Sequence, residues 1–309
     1  MLSVIVVDYR SLGKTIKYIS ELTNQIVSDE DIHFIIVDNY YENTDLCGIE
    51  HSNLKFVGVT NELGKRLYHY EINGKEVVYV YSGGNVGYAK GNNLGMRASE
   101  LLFKDAYYLV SNNDIAIENA IDISLIQRIF DNMPSVAVIG PNVIGLDGIP
   151  QSPNRKPDAF GNLVLTYFSM ATHNKLFKWN DVDYTGESKI CYRVMGSFVF
   201  LRASAMADVG MYDENTFMFA EEMILSERML KRGYETYFYD DITVIHSHGE
   251  SVDRVADRSE PVKWSHESVS YYFREYRDTS RILLAIGNLT CNIYIALYRF
   301  KKKMIKASR

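Results

Sequence analysis

The chain has 309 residues, of which 47% are hydrophobic and 23% are charged, and its formal net charge is -6. This is the composition of a globular protein with a large core, and the negative charge excludes a general affinity for nucleic acid. Three widely spaced cysteines form no metal motif or disulfide framework, which favours a reducing cytoplasm. We expect no apolar run to be long enough to span a bilayer. The short run at Leu2–Val7, which no basic region precedes, indicates a strand instead of a signal peptide.

The first elements along the chain predict a strand–helix–strand unit. Leu2–Val7 and His33–Val37 are apolar, β-rich runs typical of strands that are buried on both faces. Between them, apolar residues recur at three- and four-residue steps from Ile16 to Ile26, which predicts a helix with Ser11 as its cap. Two strands joined by a helix in this way form a right-handed βαβ unit.

The alternation of strands and helices continues along the chain. Asn73-Gly74 separates two β-rich runs and predicts a hairpin. Further strands are predicted at Val77–Tyr81, Ala106–Val110, Val136–Ile139, Val194–Leu201, Tyr237–Tyr239 and Thr243–Ile245. Further helices are predicted at Ala89–Leu102, Ile121–Phe130 and Glu221–Arg232, and the chain is mostly helical from residue 265. Residues 141–190 are rich in turn formers, which indicates long loops with short strands.

Polar side chains stand where three of the predicted strands end. These are Asp8-Tyr9, Asp38-Asn39 and Asn112-Asn113-Asp114. Because ligands of open α/β sheets bind beyond the carboxyl ends of the strands, the three groups predict one shared pocket. A lone aspartate after a strand is usually only a turn residue, so the coincidence of three strand ends is what favours a site.

Two adjacent carboxylates, Glu221 and Glu222, follow an aromatic run and open a predicted helix. Such a pair can remove a proton from a sugar hydroxyl, and the positive end of the helix dipole favours the ionised form. Two solvated acids at a helix start are also a common structural arrangement, which is the alternative interpretation.

These segments together resemble the family-2 glycosyltransferases of GT-A fold, especially their bacterial rhamnosyltransferase-like branch. The matching segments are Ser3–Tyr9, Ile35–Asn39, Asn85–Gly95, Leu109–Asp114, Gly196–Phe200, Phe217–Tyr234 and Val244-Ile245-His246 with Gly249 and Ser251. The resemblance implies an α/β fold with a mostly parallel central sheet flanked by helices. The expected organisation is a GT-A domain over residues 1–264 and an amphipathic helical tail over residues 265–309.

The resemblance also implies the roles of the donor-binding residues. Asp38 would contact the nucleobase, and a carboxylate favours uracil or thymine because it needs a ring N–H to accept. Further nucleotide contacts are expected from Tyr9, Asn85, Gly87, Asn92, Asn112 and Asn113. Asn112-Asn113-Asp114 replaces the family's Asp-x-Asp motif, so Asp114 becomes the expected ligand of Mg2+ or Mn2+. His246 is the second expected metal ligand, and His248 is its nearby competitor.

Glu222 stands where the family has its catalytic aspartate, so the resemblance makes it the general base and Glu221 the second choice. The implied reaction is inverting, metal-dependent transfer from a UDP- or dTDP-sugar, such as dTDP-rhamnose, to a bacterial surface glycan. Asn112 and Glu222 both depart from the family's residues. They motivate an alternative in which the chain is a catalytically silent subunit that binds nucleotide or glycan in an assembly complex.

The C-terminal tail has a distinct amphipathic pattern. Its apolar residues at helical spacing are Ile282, Ile286, Leu289, Ile293, Leu297 and Phe300, and a run of lysines follows from Lys301. This pattern favours a helix that lies on an anionic membrane, and residues 280–309 would then hold a cytoplasmic protein on the inner face of the cell membrane. A helix packed on its own domain with a solvated basic end is the equally weighted alternative.

Overall fold

A computed structural model describes residues 1–49, 53–172, 179–247 and 259–307. The strands are β1 (Leu2–Asp8), β2 (Ile26–Val27), β3 (Ile32–Asp38), β4 (Lys55–Glu62), β5 (Lys65–Ile72), β6 (Lys75–Tyr81), β7 (Tyr107–Ser111), β8 (Ile115–Ile117), β9 (Ile121–Asp122), β10 (Val136–Gly145), β11 (Lys189–Cys191), β12 (Phe198–Arg202) and β13 (Glu235–His246). The helices are α1 (Leu12–Gln25), α2 (Tyr88–Leu102), α3 (Ile123–Asn132), α4 (Thr166–Ala171), α5 (Ala203–Asp208), α6 (Glu221–Lys231), α7 (Ser259–Glu275) and α8 (Arg281–Ala307). A π-helical turn at Gly161–Leu165 leads into α4.

The centre of the molecule is a parallel sheet with strand order β6, β3, β1, β7. These strands are apolar along their whole length because helices cover both faces, and Val4 and Ile35 have no exposed surface. Asp8 and Asp38 are register partners at the ends of β1 and β3. The predicted βαβ unit and the predicted convergence of these two strand ends are therefore confirmed.

Antiparallel strands flank this parallel centre on both sides, and β10 and β13 beyond β12 pair in parallel again. β5 and β4 continue the sheet beyond β6, and β12 lies antiparallel between β7 and β10. The whole sheet is thus mixed, whereas the sequence predicted a mostly parallel one. The consequence for function is that β12 starts where β7 ends, with Phe198 opposite Ser111. Gly196 and Ser197, which precede β12, therefore stand at the same sheet edge as the polar strand ends.

Several predicted elements differ in their boundaries. The strand predicted at Val194–Leu201 forms only from Phe198 to Arg202, because Gly196 and Ser197 turn into the sheet edge. The two short strands predicted between residues 237 and 245 are one strand, β13, with a register shift against β10. The third helix begins at Ile123, after the side chain of Asp122 accepts a hydrogen bond from Ser124 N.

Other features were not predicted. β4 is an exposed edge strand, and residues 141–190 contain the π-helical turn and α4 in addition to the predicted short strands, which are the end of β10 and the start of β11. The Ser11 side chain does not cap α1, since its hydroxyl donates to Asp8 at 2.6 Å.

Helices α7 and α8 pack on the body of the molecule beside α6. A small apolar cluster that includes Tyr272, Phe273, Ile224 and Leu163 joins them to it. The buried Asp213 accepts hydrogen bonds from the hydroxyls of Tyr271, in α7, and Tyr276, just after it, at 3.0 and 2.6 Å. The predicted boundary between residues 264 and 265 lies inside α7, and the division into a domain and a tail stays a prediction.

Helix α8 is apolar on two opposite faces. One face packs inward, where Gly287 contacts Leu163 and the Thr290 hydroxyl donates to Leu163 O at 3.1 Å. The opposite face exposes the residues of a stripe: Ile282, Ile286, Leu289, Ile293, Leu297, Phe300 and Met304. The segment Arg281–Met304 is long and apolar enough to cross a membrane, by length and composition only. The expectation from the sequence concerned uninterrupted apolar runs, and polar residues such as Asn288 and Arg299 interrupt this segment, whose mean hydropathy is 1.3.

Close packing of α2 on β1 requires glycine at position 95. A Cβ at Gly95 would lie 2.5 Å from Ile5 Cγ2, so we expect Gly95→Ala to destabilise the protein by about 1–3 kcal/mol. The measurement is urea unfolding followed by circular dichroism. Gly58→Ala is the control, since a Cβ there meets nothing within 4 Å. Equal stability of the two variants would contradict this packing.

Candidate active site

A buried polar cluster around Asp8 fixes the edge of the sheet. Asp8 is 1% exposed and accepts hydrogen bonds from the hydroxyls of Ser11 and Thr15 at 2.6 and 2.8 Å. The Asn113 amide donates to the same two hydroxyls at 2.9 and 2.7 Å. The cluster therefore ties the ends of β1 and β7 to the start of α1. The Asn113 amide hydrogens serve this cluster, so its predicted contact with nucleotide stays a prediction.

Asp38 is buried beside Asp8 and is well supplied with donors. Its carboxylate accepts hydrogen bonds from Tyr40 N at 2.7 Å and from the Tyr79 hydroxyl at 3.1 Å. Burial raises the pKa of Asp38 to about 6, and the neighbouring charge of Asp8 adds to the rise. A second lone pair on each oxygen can accept from a ligand N–H, which is what recognition of a base would require.

Aromatic side chains surround the approach to Asp38. The rings of Tyr9 and Tyr40 meet edge to face, with centroids 5.9 Å apart. The Arg10 guanidinium lies over both rings, at 5.3 and 4.7 Å from their centroids. Tyr40 and Tyr41 are 43% and 52% exposed, so this part of the edge offers accessible flat surfaces. Such surfaces stack on nucleobases.

The start of α2 lies on the same side of the sheet. Gly87 has a φ of 87°, and a Cβ there would lie 2.2 Å from Phe217 O, so only glycine fits. The Asn85 side chain accepts from Gly87 N at 3.3 Å and shapes the turn. Asn92 is fully buried and donates to Tyr88 O at 3.0 Å. Asn92 therefore supports the helix start from inside, and its predicted contact with nucleotide stays a prediction.

Asp114 and His246 come together across β8 and β13. His246 Nε2 lies 3.3 Å from Asp114 Oδ1, and both side chains are less than 10% exposed. The other ring nitrogen, Nδ1, contacts Gln151 Oε1 at 3.2 Å. A donating Nδ1–H leaves the Nε2 lone pair facing the carboxylate. Among the described residues, Asp114 Oδ1 is a buried oxygen with no hydrogen-bond donor.

This pair fits a divalent cation. A carboxylate oxygen and an imidazole nitrogen 3.3 Å apart are both electron-pair donors of the kinds that divalent cations bind. Among the described residues no group of three or more His, Cys, Asp or Glu side chains gathers as a metal site. Mg2+ commonly needs only one or two protein carboxylates, because substrate phosphates and water supply the other ligands. His248, the competitor of His246, lies outside the described residues.

Glu222 is held at the sheet edge by a backbone group. Its Oε1 accepts a hydrogen bond from Gly196 N at 3.1 Å, and the Tyr88 hydroxyl donates to Gly196 O at 2.8 Å. A Cβ at Gly196 would lie 2.6 Å from Glu222 Oε1, so a larger residue would displace the carboxylate. Ser197, the residue after Gly196, accepts a hydrogen bond from Asn112 N at 2.8 Å. Gly196-Ser197 therefore connects Glu222 to the polar residues that follow β7.

Glu221 differs sharply from its neighbour. It is 4% exposed, and its Oε1 has no hydrogen-bond partner among the described residues. Burial and the adjacent Glu222 raise the pKa of Glu221 well above its usual range. The raised pKa disfavours the ionised form of Glu221, which makes Glu222 the better candidate for a base.

The segment before the two acids is strained. Phe219 and Ala220 have φ angles of 73° and 64°, in the left-handed region that costs about 1–2 kcal/mol for each residue with a Cβ. Hydrogen bonds hold the segment, from Tyr88 N to Phe217 O at 2.9 Å and from the Ser268 hydroxyl to Met218 O at 2.8 Å. Strain of this kind persists where the surrounding structure fixes a functional group.

The contacts link most of the predicted site into one edge. Asp38 and Asp8 are register partners, and Asp8 accepts a hydrogen bond from Asn113. The neighbouring Asn112 donates to Ser197 O, and the adjacent Gly196 N donates to Glu222. Two arginines at the end of α6 point to other partners. Arg228 donates to Val209 O, and Arg232 pairs with Asp208 at 3.6 Å.

Sequence reasoning missed some contributors to this edge. Gln151 was not indicated, because a lone glutamine carries no motif. Gly196 begins one of the matching segments, but the hydrogen bond from its amide to Glu222 was not predicted, because a backbone donor leaves no sequence pattern. Arg10 and Tyr40 follow directly on the polar strand ends, and this position was the signal that could have found them.

The known proteins to which this chain is similar are glycosyltransferases. No protein-family model matches the chain. The low-salt glycan biosynthesis hexosyltransferase Agl10 of Haloferax volcanii is 29% identical over 199 residues, which are 63% of this chain and 60% of Agl10. The chain thus spans less than two thirds of the length of this relative.

Solved structures show the same fold at low sequence identity. The crystal structure of GalNAc-T7 with UDP, GalNAc and Mn2+ has a TM-score of 0.59 and 11% identity, over 90% of this chain and 49% of that one. The mannosyltransferase PcManGT from Pyrobaculum calidifontis, in complex with GDP-Man and Mn2+, has a TM-score of 0.54 and 10% identity, over 95% and 69%. The fold of this chain is the GT-A glycosyltransferase fold, which confirms the fold class predicted from the sequence.

The burial of Glu221 predicts how stability depends on pH. Folding raises the pKa of this carboxyl. Between its ordinary pKa and the raised one, the folded protein therefore holds a proton that the unfolded chain has lost, and stability falls as pH rises. We expect Glu221→Gln to reduce this loss, by up to about 1.4 kcal/mol per pH unit. Urea unfolding between about pH 6 and 9 measures it. Glu62→Gln, at an exposed β4 position, is the control, and a Glu221→Gln slope equal to that of the parent protein would refute the assignment.

Proposed function

We propose that the chain is an inverting glycosyltransferase that moves a sugar from a nucleotide-diphosphate donor to a hydroxyl group of a glycan. The observation that carries the proposal is the placement of Glu222. It is an accessible carboxylate fixed by Gly196 N, on the sheet edge that also presents Asp38. Its neighbour Glu221 is buried, which raises the pKa of that carboxyl and leaves Glu222 as the better candidate base. The GT-A fold and the similarity to Agl10 agree with this chemistry.

The reaction needs one displacement. Glu222 accepts the proton of the acceptor hydroxyl while the hydroxyl oxygen attacks the anomeric carbon, on the face opposite the diphosphate. The new C–O bond forms as the bond from the anomeric carbon to the diphosphate oxygen breaks, and the bonding electrons leave with the nucleotide diphosphate. The configuration inverts, and the proton stays on Glu222 until solvent removes it.

The donor is a UDP- or dTDP-sugar, of which dTDP-rhamnose is the example that the family resemblance favours. Asp38 supports this choice because its carboxylate can accept the ring N–H of uracil or thymine, beside the exposed rings of Tyr40 and Tyr41. Guanine also offers a ring N–H, and PcManGT was solved with GDP-Man. A nucleotide titration therefore distinguishes the pyrimidines from guanine.

Mg2+ or Mn2+ is the proposed cofactor, with Asp114 and His246 as its protein ligands. The support is their facing geometry and the donor-free Asp114 oxygen. A divalent cation bound with the donor would neutralise the charge that develops on the departing diphosphate. Both similar structures were solved with Mn2+.

The acceptor is proposed to be a bacterial surface glycan or its lipid-linked precursor, reached at the inner face of the cell membrane. The support is helix α8, whose exposed apolar stripe lies opposite its packed face and leads into Lys301, Lys302 and Lys303. The packed contacts at Gly287 and Thr290 keep the helix along the protein surface, so it would lie in the plane of an anionic membrane.

A catalytically silent subunit is the alternative function, since Asn112 replaces an acidic residue. Such a subunit would bind nucleotide and glycan without turnover. Incubation of the protein with Mn2+ and UDP- or dTDP-sugars distinguishes the two cases. An active enzyme should release nucleoside diphosphate slowly by hydrolysis, or quickly with its acceptor, whereas a silent subunit releases none.

Replacement of Glu222 by glutamine tests the base directly. Glu222→Gln keeps the side-chain length and can still accept from Gly196 N, but it cannot take a proton, so we expect transfer to fall at least about 100-fold. Nucleotide affinity, measured by calorimetry with UDP and dTDP in the presence of Mn2+, should stay within about twofold. Full transfer activity in this variant would reject Glu222, and the Glu221→Gln variant should keep most of the activity.

The membrane proposal predicts the behaviour of an α8 variant. We expect replacement of Ile286, Leu289 and Ile293 by serine to weaken binding to phosphatidylglycerol-containing vesicles by about 100-fold, because each apolar side chain contributes about 1 kcal/mol or more. Vesicle cosedimentation measures the effect. Leu146→Ser, at a position 77% exposed and away from α8, is the control. Unchanged vesicle binding, or a dimer that the same substitutions dissociate, would argue against a lipid surface as the partner.

A further inference from the structure

A cavity of about 400 Å³ lies between the segment that leads into α6 and the two C-terminal helices. Asn215 and Phe217 line it from the segment, Trp264, Glu267 and Arg274 from α7, and Asn288 from α8. The cavity is separate from the Asp38 edge, where the donor nucleotide is proposed to bind. None of its lining residues falls within 141–190, the region whose loops would otherwise be expected to receive an acceptor.

The cavity presents accessible aromatic surface. The rings of Phe217 and Trp264 meet edge to face with centroids 5.1 Å apart, and neither side chain is fully buried. Trp264 is one of only two tryptophans in the protein. An accessible indole in a concave site favours a ligand with a flat apolar face, and the C–H face of a pyranose ring is of this kind.

The other lining groups match the hydroxyls of a sugar. Glu267 offers a carboxylate and Arg274 a guanidinium, both exposed, so the cavity has an acceptor and a donor of hydrogen bonds. Asn288 is fixed by a 2.7 Å hydrogen bond between its Oδ1 and His266 Nε2. Burial lowers the pKa of His266, which favours the neutral imidazole, so His266 adds no positive charge to the cavity. The set is therefore typical of a neutral polyhydroxylated ligand.

The cavity is joined to the catalytic carboxylate by a short, held segment. Ser268 from α7 donates to Met218 O, and Phe217 O accepts from Tyr88 N. The strained residues Phe219 and Ala220 follow, and then the two acids at the start of α6. A ligand seated against Phe217 thus touches the same segment that positions Glu222.

We infer that this cavity binds a pyranose unit of the acceptor glycan, with its C–H face on Trp264 and its hydroxyls on Glu267, Arg274 and Asn288. The inference rests on the proposed glycosyl transfer for its role but not for its binding test. It assigns acceptor recognition to α7 and α8, which lie outside the sheet edge that holds the donor. Residues in this cavity would then decide which glycans are extended.

Tryptophan fluorescence tests the inference. In a Trp179→Phe variant, Trp264 is the sole tryptophan and reports directly on the cavity. Methyl hexopyranosides of the gluco, galacto, manno and rhamno configurations, titrated at millimolar concentration, should include at least one that shifts the emission in a saturable manner. Adding Phe217→Ala should weaken this binding by about tenfold through loss of the aromatic wall. Asn288→Ala, at an exposed position whose side chain is bonded to His266, should also weaken it.

The controls separate this inference from the proposed function. Phe56→Ala removes an exposed aromatic ring on β4, at the far end of the sheet, and should leave the titration unchanged. No saturable shift with any glycoside, or a shift that neither Phe217→Ala nor Asn288→Ala affects, would overturn the inference. UDP binding is measured in the same samples. Glycoside binding without any nucleotide binding would refute the proposed transfer but not the cavity assignment. Nucleotide binding without glycoside binding would refute the cavity assignment but not the proposed transfer.

Discussion

The site depends on the hydrogen bond between Gly196 N and the Glu222 carboxylate. Gly196 is held beside the ends of β1 and β7 because β12 runs antiparallel to β7 and starts where β7 stops. The absence of a side chain at position 196 lets the carboxylate approach the backbone to 3.1 Å. This one backbone hydrogen bond holds Glu222, at the start of α6, at the edge where Asp38 and Asp8 lie. Without it the carboxylate of the proposed base would not be held at this edge.

Two pairs of neighbouring acids organise the charge at this edge. Asp8 lies beside Asp38, and Glu221 lies beside Glu222. Asp8 and Asp38 are both buried and both accept hydrogen bonds, Asp8 from the hydroxyls of Ser11 and Thr15 and Asp38 from Tyr40 N and the Tyr79 hydroxyl. Burial raises the pKa of Glu221, whose Oε1 has no hydrogen-bond partner among the described residues, whereas Glu222 is only partly buried and accepts from Gly196 N. In this second pair local burial, and not residue type, distinguishes two identical side chains.

Helix α8 takes part in both the proposed acceptor cavity and the proposed membrane surface. Its inner face packs on Leu163 and contributes Asn288 to the cavity beside α6, while its outer face remains apolar and exposed. A helix that is apolar on both faces is stable only where two apolar or mixed surroundings meet, such as a protein on one side and a membrane interface on the other. The proposed acceptor site and the proposed membrane surface therefore share one helix.

The sequence determined the local elements and the chemical types of the site, because strand burial, helix period and polar strand ends are properties of neighbouring residues. The parallel β1–β3 core, the position of Asp38 and the acid pair at the start of α6 all followed from such patterns. Tertiary structure decided the rest. The antiparallel insertion of β12, the union of two predicted strands in β13, the contact between Asp114 and His246 and the burial of Glu221 depend on contacts between residues far apart in the chain. Burial and backbone approach at those contacts are set by packing, which no local pattern records.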